Sequence, residues 1–392
     1  MKRSVLHLVS SFHQGGSERQ AVQLARLLKE SGRYDVSLAC LDGGGSLRDE
    51  AEQIGLGEIA EYKLTSFYDR NMVMQLRRFA RYLRQREINI VHTHDFYTNV
   101  FGMAAARLAR VPVRIASRRE TMGWRTDAQK FVERLSYRMA HSIVANAEAV
   151  RGQLIKEGVR SEKIVTIYNG LDMERIKPRP GLSRARMLAS FDLPNQGNHR
   201  FVTIVANLRH PVKDHPTFLR AASRVHSSSP YARFVVAGEG ELIRPMRELA
   251  SDLGLERVTH FIGRCERVAE LLAVSDVCVL SSKAEGFSNS ILEYMAAARP
   301  AVVTDVGGAR EAVEDGETGY VVPAGDDKAM AERITSLLNN AVEARAMGDK
   351  ARKRIEEKFS CHAQLERGES LYDRLLAQSR FTAPQVLSSA TR

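Results

Sequence analysis

The sequence contains only four cysteines among its 392 residues. Cys40, Cys265, Cys278 and Cys361 lie far apart and form no C-x-x-C pair, which argues against a zinc site and against a disulfide framework. Aromatic residues make up only 7% of the chain, and no zinc-finger, RRM or KH signature occurs. We therefore expect neither a zinc site nor a nucleic-acid partner.

Long apolar runs are also missing. No stretch approaches the roughly 18 apolar residues that a membrane-spanning helix needs. The first residues, "MKRSVLHLVSSF", place a basic pair before an apolar run, but the run is short and lacks a small-residue cleavage site. We interpret this segment as a first buried strand rather than a signal peptide, and we expect a cytoplasmic protein.

The net charge of +11 favours anionic partners. The segment "QLRRFARYLRQR" gathers basic residues around Phe79, Tyr82 and Leu83 at helical spacing. Its arginines are Arg77, Arg78, Arg81, Arg84 and Arg86. Such a helix is typical of a surface that lies on an anionic membrane, here the inner face of the cytoplasmic membrane. The alternative is a surface helix whose aromatic side packs against its own core.

Short β-branched runs alternate with helical stretches along the whole chain, which predicts an α/β protein with parallel sheets covered by helices. The alternation occurs twice, six runs in each half, separated by the Pro- and Gly-containing segment "MERIKPRPGLSRARMLASFDLPNQGNH". We predict two doubly wound Rossmann-like lobes facing a central cleft, since ligands bind at the carboxyl ends of parallel strands. The predicted boundaries are 1–172, 173–365 and, for a C-terminal helix with a disordered tail, 366–392.

Three segments that follow predicted strands contain residues suited to an anionic sugar derivative. In "SSFHQGGSERQ", Gly15 and Gly16 precede a helix start, where backbone amides favour phosphate or a sugar hydroxyl. The segment is neither G-x-G-x-x-G nor a P-loop, and an ordinary strand–helix turn is the alternative. In "NLRHPVKDH", Arg209 and Lys213 follow a strand and are suited to a pyrophosphate.

The third segment, "EGFSNSILE", places a carboxylate on each side of a helix start. Ser290 and Glu293 fit the spacing of a capping box, which explains Glu293 but not Glu285. The amides of Ser288, Asn289 and Ser290 at the helix N-terminus favour an anion. Glu285 and Glu293 could then accept hydrogen bonds from two hydroxylated rings, a layout that fits a nucleotide-sugar.

Taken in order, these segments resemble glycosyltransferase family 4, the group 1 type of retaining nucleotide-sugar glycosyltransferase with two Rossmann-like lobes (GT-B). The resemblance covers most of the chain. It rests on "GGSE", "IYNGLD", "NLRHPVKDH", "VVAGEGE", the E-x7-E segment "EGFSNSILE" and "TDVGGAREAVEDGETGYVVP".

The resemblance implies roles for particular residues. Glu285 contacts the donor sugar and Glu293 the ribose of the nucleotide, while Arg209 and Lys213 neutralise the diphosphate as it leaves. Catalysis is thereby assigned to Glu285, Arg209 and Lys213. The remaining donor-binding residues are Gly15, Gly16, Gly286, Phe287, Ser288 and Asn289.

The chain departs from the family pattern at two places. Many relatives carry a His after the fourth strand of the first lobe, where this sequence reads "IASRRETMGW" with Arg118, Arg119 and Glu120. An Arg there could meet an anionic group. Arg118, Arg119, His94 and Asp95 are therefore candidate acceptor or cleft residues, with loop packing as the alternative for His94 and Asp95. The basic loop also has one more residue than expected between Arg209 and Lys213.

The implied activity is transfer of a hexose or N-acetylhexosamine from a nucleotide-sugar, UDP-linked, to a glycan or lipid-linked acceptor, with retention and without a metal or other cofactor. Its expected role is cell-surface polysaccharide or lipopolysaccharide synthesis. The alternatives are a nucleotide-sugar epimerase or a non-catalytic nucleotide-sugar binding module on the same fold.

Overall fold

The structure is a computed structural model that describes residues 2–13, 15–121 and 125–382. Their contacts divide the chain into two compact units. The N-terminal unit comprises the described residues within Met1–Arg119, Gly123–Tyr168 and His362–Arg392. The C-terminal unit comprises those within Glu120–Met122 and Asn169–Cys361. The predicted two-lobe α/β fold class is confirmed, with one parallel sheet in each unit.

The N-terminal unit is built on a parallel sheet that has seven strands among the described residues, in the order β3-β2-β1-β4-β5-β6-β7. Its central strands are buried on both faces, as expected where helices cover a parallel sheet. The strands are β1 (Arg3–Val9), β2 (Tyr34–Cys40), β3 (Ala60–Glu61), β4 (Ile90–Thr93), β5 (Val113–Arg118), β6 (Ser142–Ala145) and β7 (Ile164–Thr166).

Some helices of this unit begin at a side-chain N-cap. Asp95 caps its helix by accepting a hydrogen bond from the Thr98 amide at 3.0 Å, and Thr126 likewise caps through the Gln129 amide. The helices are α1 (Gly16–Glu30), α2 (Leu47–Gln53), α3 (Arg70–Gln85), α4 (Phe96–Leu108), α5 (Asp127–Met139) and α6 (Glu148–Lys156).

The sheet of the C-terminal unit has six parallel strands among the described residues, in the order β10-β9-β8-β11-β12-β13. The strands are β8 (Arg200–Val205), β9 (Ala232–Ala237), β10 (Thr259–Gly263), β11 (Val277–Leu280), β12 (Ala301–Thr304) and β13 (Tyr320–Val322). The helices are α7 (Arg184–Ala189), α8 (His215–Ser228), α9 (Ile243–Asp252), α10 (Val268–Val274), α11 (Asn289–Ala296), α12 (Ala309–Ala312), α13 (Asp327–Asn339) and α14 (Ala341–Lys358).

The last helix, α15 (Cys361–Thr382), belongs to the N-terminal unit although it follows the C-terminal unit in the chain. Leu371 and Tyr372 are buried in the same core cluster as β1 and α1. Gln364 exchanges hydrogen bonds of 2.9 Å with Gln20 and Gln23 of α1. The predicted segment 366–392 is therefore not separate from the first lobe. The tail predicted to be disordered lies, from residue 383 onward, outside the described residues.

The strand order of each sheet fixes where its ligand loops lie. In the N-terminal sheet the order reverses between β1 and β4, and in the C-terminal sheet between β8 and β11. Loops that leave neighbouring strands in opposite directions open a crevice at such a point. The glycine loop of Gly15 follows β1, the basic loop of Lys213 follows β8, and Glu285 follows β11.

Candidate functional site

Lys213 and Glu285 meet at the switch point of the C-terminal sheet. The Lys213 ammonium lies 2.5 Å from Glu285 Oε1, and the Ser282 hydroxyl donates to the same oxygen at 2.6 Å. Both charged side chains are largely buried, with exposed fractions of 19% and 12%. The backbones of the two loops are also joined, because the Ser281 hydroxyl donates to the Lys213 carbonyl and the Lys283 amide to the Val212 carbonyl. The arrangement presents one cation and one carboxylate together at a strand end.

Arg209 does not join this pair. Its guanidinium bonds Glu239 Oε1 at 2.7 Å, and both side chains are about half exposed. The close packing of the segment after β9 brings these residues together. A Cβ on Gly238 would lie 2.0 Å from the Ala206 carbonyl oxygen, and Gly240 has a φ of +147°. The second cation of the basic loop thus lies on a separate, exposed rim of the same crevice.

The loop from Glu285 to Asn289 is held by residues whose roles the sequence did not reveal. Asn169, buried in the "NGLD" segment, donates from Nδ2 to the Phe287 carbonyl and to Asn289 Oδ1, each at 2.9 Å. The Gly308 amide donates to the Gly286 carbonyl at 2.7 Å. The "NGLD" segment and the segment that begins "TDVGG" were both recognised in the sequence, but neither of them predicted these contacts.

Gly307 makes the closest backbone approach to the loop from Glu285 to Asn289. A Cβ there would lie 2.2 Å from the Glu285 carbonyl oxygen, and its φ of +54° falls in the left-handed region. The Thr121 hydroxyl donates to the same carbonyl at 2.7 Å. The backbone of Glu285 is therefore fixed from two sides, which orients its carboxylate toward Lys213.

Helix α11 begins with Ser288 as its N-cap and Asn289 as its first residue. The Ser290 hydroxyl donates instead to the Val205 carbonyl of β8 at 2.9 Å. The predicted capping box of Ser290 and Glu293 is therefore wrong, because the serine lies inside the helix and bonds a neighbouring strand. Glu293 lies one turn into α11 and is partly buried.

Phe287 differs from the other predicted donor-binding residues. Its side chain is buried and packs against Phe359 with ring centroids 5.1 Å apart. Only its backbone faces the contacts described above. Phe287 therefore anchors the loop, whereas Gly286, Ser288 and Asn289 form the start of the helix and the turn before it.

In the N-terminal unit, the predicted glycine loop adjoins two carboxylates. Gly15 is the N-cap of α1, and a Cβ there would lie 2.0 Å from Glu18 Oε2, so the Glu18 side chain folds back over the glycine. The Ser10 hydroxyl donates to Glu18 Oε1 at 3.3 Å. Burial, reinforced by neighbouring Asp95, raises the pKa of Glu18. Burial also raises the pKa of Asp95, the N-cap of α4.

Arg118 and Arg119 point to different places. Arg118 is buried against Glu157, with Nη2 to Oε1 at 3.0 Å, and lies 3.8 Å from Glu133. It closes an ion-pair network of the N-terminal unit. Arg119 instead lies with His94, the two joined by a 3.3 Å contact between Nη2 and Nδ1. Of the predicted acceptor candidates, His94, Asp95 and Arg119 are thus grouped, and Arg118 is apart from them.

A buried cluster of His7, His92 and His94 adjoins Arg119, and its nitrogens lie within 4.8 Å of one another. Such a set could ligate a metal by composition. Each ring nitrogen, however, contacts a protein group at 2.7–3.4 Å: the partners are another imidazole, Tyr372, Ser117 and Arg119. His92 and His94 were visible in the "VHTHD" segment, but His7 in β1 was not predicted as their neighbour.

Two family models match consecutive parts of the chain. The Glycosyltransferase Family 4 model matches residues 14–175, and the Glycosyl transferases group 1 model matches residues 199–340. The first includes the glycine loop and the "NGLD" segment, and the second includes Lys213 and both acids of E-x7-E. The chain belongs to the group 1 glycosyltransferases of family 4.

Proteins with similar sequences also have glycosyltransferase names. EpsD of Bacillus subtilis (strain 168), which carries a glycosyltransferase name, is 32% identical over 200 residues, 51% of either chain. The chain thus spans about half of that relative's length. The Escherichia coli enzyme named UDP-Gal:alpha-D-GlcNAc-diphosphoundecaprenol alpha-1,3-galactosyltransferase is 24% identical over 375 residues, 91% of this chain and 93% of that one.

A solved structure shares the fold. Anabaena HepE, crystallised with UDP and glucose, superposes with a TM-score of 0.84 at 20% identity, covering 95% of this chain and 100% of the other. The two Rossmann-like units thus have the GT-B architecture. Among the described residues, we find no helix with the length and apolar character needed to cross a bilayer.

Proposed function

We propose that this protein transfers a hexose or N-acetylhexosamine from a UDP-sugar to a glycan or lipid-linked acceptor, with retention of the anomeric configuration. The observation that carries the proposal is the Lys213–Glu285 pair at the switch point of the C-terminal sheet. The E. coli relative's name specifies a UDP-galactose donor and a diphosphoundecaprenol-linked acceptor, and HepE binds UDP and glucose. We place the activity in cell-surface polysaccharide or lipopolysaccharide synthesis, at the cytoplasmic face of the membrane.

The proposed chemistry follows from where charge develops. As the bond between the sugar and the diphosphate breaks, negative charge accumulates on the departing phosphate, and a preorganised cation lowers the energy of that state. Lys213 supplies this cation, and the amides at the start of α11 add a helix N-terminus. Glu285 holds Lys213 in place and accepts hydrogen bonds from sugar hydroxyls. Glu293 accepts bonds from the ribose.

Arg209 takes a secondary part in this proposal. Because it pairs with Glu239 on the exposed rim, it reaches the diphosphate only by exchanging that partner for phosphate. Gly15 and Gly16 remain proposed donor contacts, and His94, Asp95 and Arg119 proposed acceptor contacts. Lys213, Arg209 and the helix start supply positive charge without a metal, so we propose that none is needed.

A panel of UDP-sugars tests the activity. We expect the purified full-length protein to release UDP slowly from one or two UDP-hexoses or UDP-N-acetylhexosamines with water as acceptor, and to do so undiminished in EDTA. Addition of GlcNAc-diphosphoundecaprenol tests transfer to a lipid-linked acceptor. Isomerised donor without UDP release would instead establish an epimerase, and binding without any turnover would establish a binding module.

We further propose peripheral association with anionic membranes through α3. Phe79 and Leu83 face the core, as in the alternative interpretation of this segment. The exposed side nevertheless combines Arg77 and Arg81 with Val73 and Met74, which are 50% and 59% exposed. This pairing of basic and apolar groups suits the interface of an anionic bilayer.

Vesicle flotation tests that association. Binding to phosphatidylglycerol vesicles at low salt is expected to fall about tenfold or more in Arg77→Glu/Arg81→Glu, because each basic residue contributes roughly 1 kcal/mol near an anionic surface. Arg352→Glu/Lys353→Glu, on the exposed face of α14, reverses the same number of charges and should bind like the wild type. Equal flotation with neutral and anionic vesicles would contradict the proposal.

A further inference from the structure

Four buried side chains of the N-terminal unit form one continuous hydrogen-bonded chain between Arg119 and Ser117. They are His94, His7, Tyr372 and His92. Each is at most 1% exposed. The contacts are Arg119 Nη2 to His94 Nδ1 at 3.3 Å, His94 Nε2 to His7 Nδ1 at 2.8 Å, His7 Nε2 to Tyr372 Oη at 3.4 Å, Tyr372 Oη to His92 Nδ1 at 2.7 Å, and His92 Nε2 to Ser117 Oγ at 2.8 Å.

The directions of these hydrogen bonds follow from Arg119 and from the need of each buried donor for an acceptor. A guanidinium can only donate, so Nδ1 of His94 must accept from Arg119. A neutral imidazole that accepts at one nitrogen donates at the other, so His94 donates to His7. The Tyr372 hydroxyl accepts from His7. A hydroxyl oxygen can accept two hydrogen bonds, but a buried hydroxyl hydrogen also needs an acceptor. Among the described residues the other group at this oxygen is His92 Nδ1, so Tyr372 donates to His92. All three histidines are thereby neutral and carry their proton on Nε2.

The burial of the chain agrees with that protonation pattern. Desolvation, assisted by the charge of Arg119, lowers the pKa of His7 to about 3. Burial likewise holds the pKa of His92 and His94 well below 6.5. A protonated imidazole would place two donors against each other at one of the contacts. A metal on the cluster would require free lone pairs on both His7 Nδ1 and His94 Nε2, but in this chain one of the two bears the hydrogen.

The other side of Arg119 lies at the partly exposed carboxyl edge of the sheet. Burial lowers the pKa of Arg119 to about 10, opposed by the nearby carboxylates of Glu18 and Asp95, so the guanidinium stays charged at neutral pH. Glu18 lies just after the loop that follows β1 and Asp95 follows β4, the two strands at the switch point. The hydrogen-bonded chain therefore ends at a charged group near the switch point of the N-terminal sheet, where parallel sheets bind ligands.

We propose that Tyr372, His7, His92 and His94 are positioning residues that fix the guanidinium of Arg119 for contact with the acceptor. The inference rests on the proposed transferase function. It gives α15 a part in the acceptor site, because Tyr372 is the link between two of the imidazoles. It also accounts for an Arg at the place where many relatives carry a His: the neighbouring imidazole accepts from the guanidinium and holds it.

Tyr372→Phe is the variant that tests this proposal, because it removes only the hydroxyl that joins His7 to His92. Tyr34→Phe is the matched control. The Tyr34 ring packs edge-on against Tyr372 at 5.8 Å, and its buried hydroxyl has no hydrogen-bond partner among the described residues. Both variants lose one oxygen from the same core, so a general loss of packing would affect them alike.

The first readout needs no substrate. In full-length protein with 15N-labelled histidine and arginine, the wild type should show three histidines in the Nε2–H form that do not titrate between about pH 5 and 8. The Arg119 Nε–H signal, assigned by its loss in Arg119→Lys, should exchange slowly with water. Tyr372→Phe should shift the ring nitrogens of His7 and His92 and accelerate that exchange, and Tyr34→Phe should not. Nδ1–H tautomers, or one equivalent of zinc bound to the wild type, would overturn the assignment.

The second readout concerns the acceptor. With GlcNAc-diphosphoundecaprenol, Tyr372→Phe should raise the acceptor KM about three- to tenfold, as expected for the loss of one hydrogen bond, with a smaller change in kcat at saturating acceptor. In an Arg119→Lys background the same substitution should have no further effect. Equal effects of Tyr34→Phe, or additive effects with Arg119→Lys, would refute positioning through Arg119. If the wild type releases no UDP at all, the transferase proposal fails, while the spectroscopic result still decides the hydrogen-bonded chain.

Discussion

Substitution of Glu285 by Gln is expected to lower the turnover of sugar transfer about 100-fold or more, the usual cost of removing one preorganised electrostatic group from an active site. Glu285 Oε1 accepts hydrogen bonds from Lys213 and Ser282. The neutral amide would weaken the contact with Lys213, and the ammonium would no longer be held beside the departing phosphate. The affinity for UDP itself, measured by calorimetry, should change little, since UDP lacks the sugar that we propose Glu285 contacts.

Glu293→Gln should give the opposite pattern. Loss of a charged acceptor for the ribose should weaken UDP binding by about 1–3 kcal/mol, with a smaller effect on turnover at saturating donor. Glu317→Gln is the control, because Glu317 pairs with Lys350 on the exposed surface. If both site variants bind UDP and turn over like the wild type, neither acid has the role proposed here.

The sheets could be predicted from the sequence because strands buried on both faces are near-continuous apolar runs. Each of the twelve runs expected from the sequence overlaps a strand of the structure. Strand β3 was not predicted, because its two residues, Ala60 and Glu61, are too few to show a hydrophobic periodicity.

The place of α15 could not be predicted. An apolar stripe shows that a helix packs against something, but it does not identify which of two sheets. The stripe of α15 includes Leu371 and Tyr372, which lie in the core of the N-terminal unit. The sequence boundary at 365 therefore followed chain order, whereas the contacts return to the first unit at His362.

The sequence predicted which residues follow strand ends, but it did not predict the directions of their side chains. Lys213 and Glu285 follow β8 and β11, and their meeting is a consequence of the strand order, which the sequence did not specify. The sequence alone gave no reason to distinguish the adjacent Arg118 and Arg119. Successive residues of an extended chain point to opposite sides, so one joins an ion-pair network and the other joins His94.

Mild acid is expected to destabilise the N-terminal unit strongly. His7, His92 and His94 are neutral in the folded protein, with the pKa of His7 near 3 and the other two well below 6.5. In the unfolded chain each imidazole takes up a proton as the pH falls below about 6.5. The unfolded state then binds more protons than the folded state, so the free energy of unfolding decreases with falling pH.

The size of this effect follows from linkage. At pH 5, which is about 1.5 units below the unfolded pKa, the neutral His7 with its folded pKa of about 3 costs about 2 kcal/mol. The lowered pKa values of His92 and His94 act in the same direction. Glu18 and Asp95 act in the opposite direction, because their raised pKa values favour the folded state as they take up protons. These two carboxyl groups are partly exposed, whereas the three histidines are buried. The free energy of unfolding should therefore still decrease as the pH falls.

Urea unfolding followed by circular dichroism at pH 7.5, 6 and 5 measures that slope. His7→Gln should be less stable at pH 7.5, since it breaks the buried hydrogen-bonded chain. Its free energy of unfolding should nevertheless fall less steeply on acidification, because one imidazole fewer takes up a proton on unfolding. The difference in slope should be roughly 1.4 kcal/mol per pH unit below 6. The exposed His13 supplies the control: His13→Gln should retain the slope of the wild type. A slope that is unchanged in His7→Gln would mean that His7 gains its proton in the folded protein, and the directional hydrogen-bonded chain to Arg119 would then be wrong.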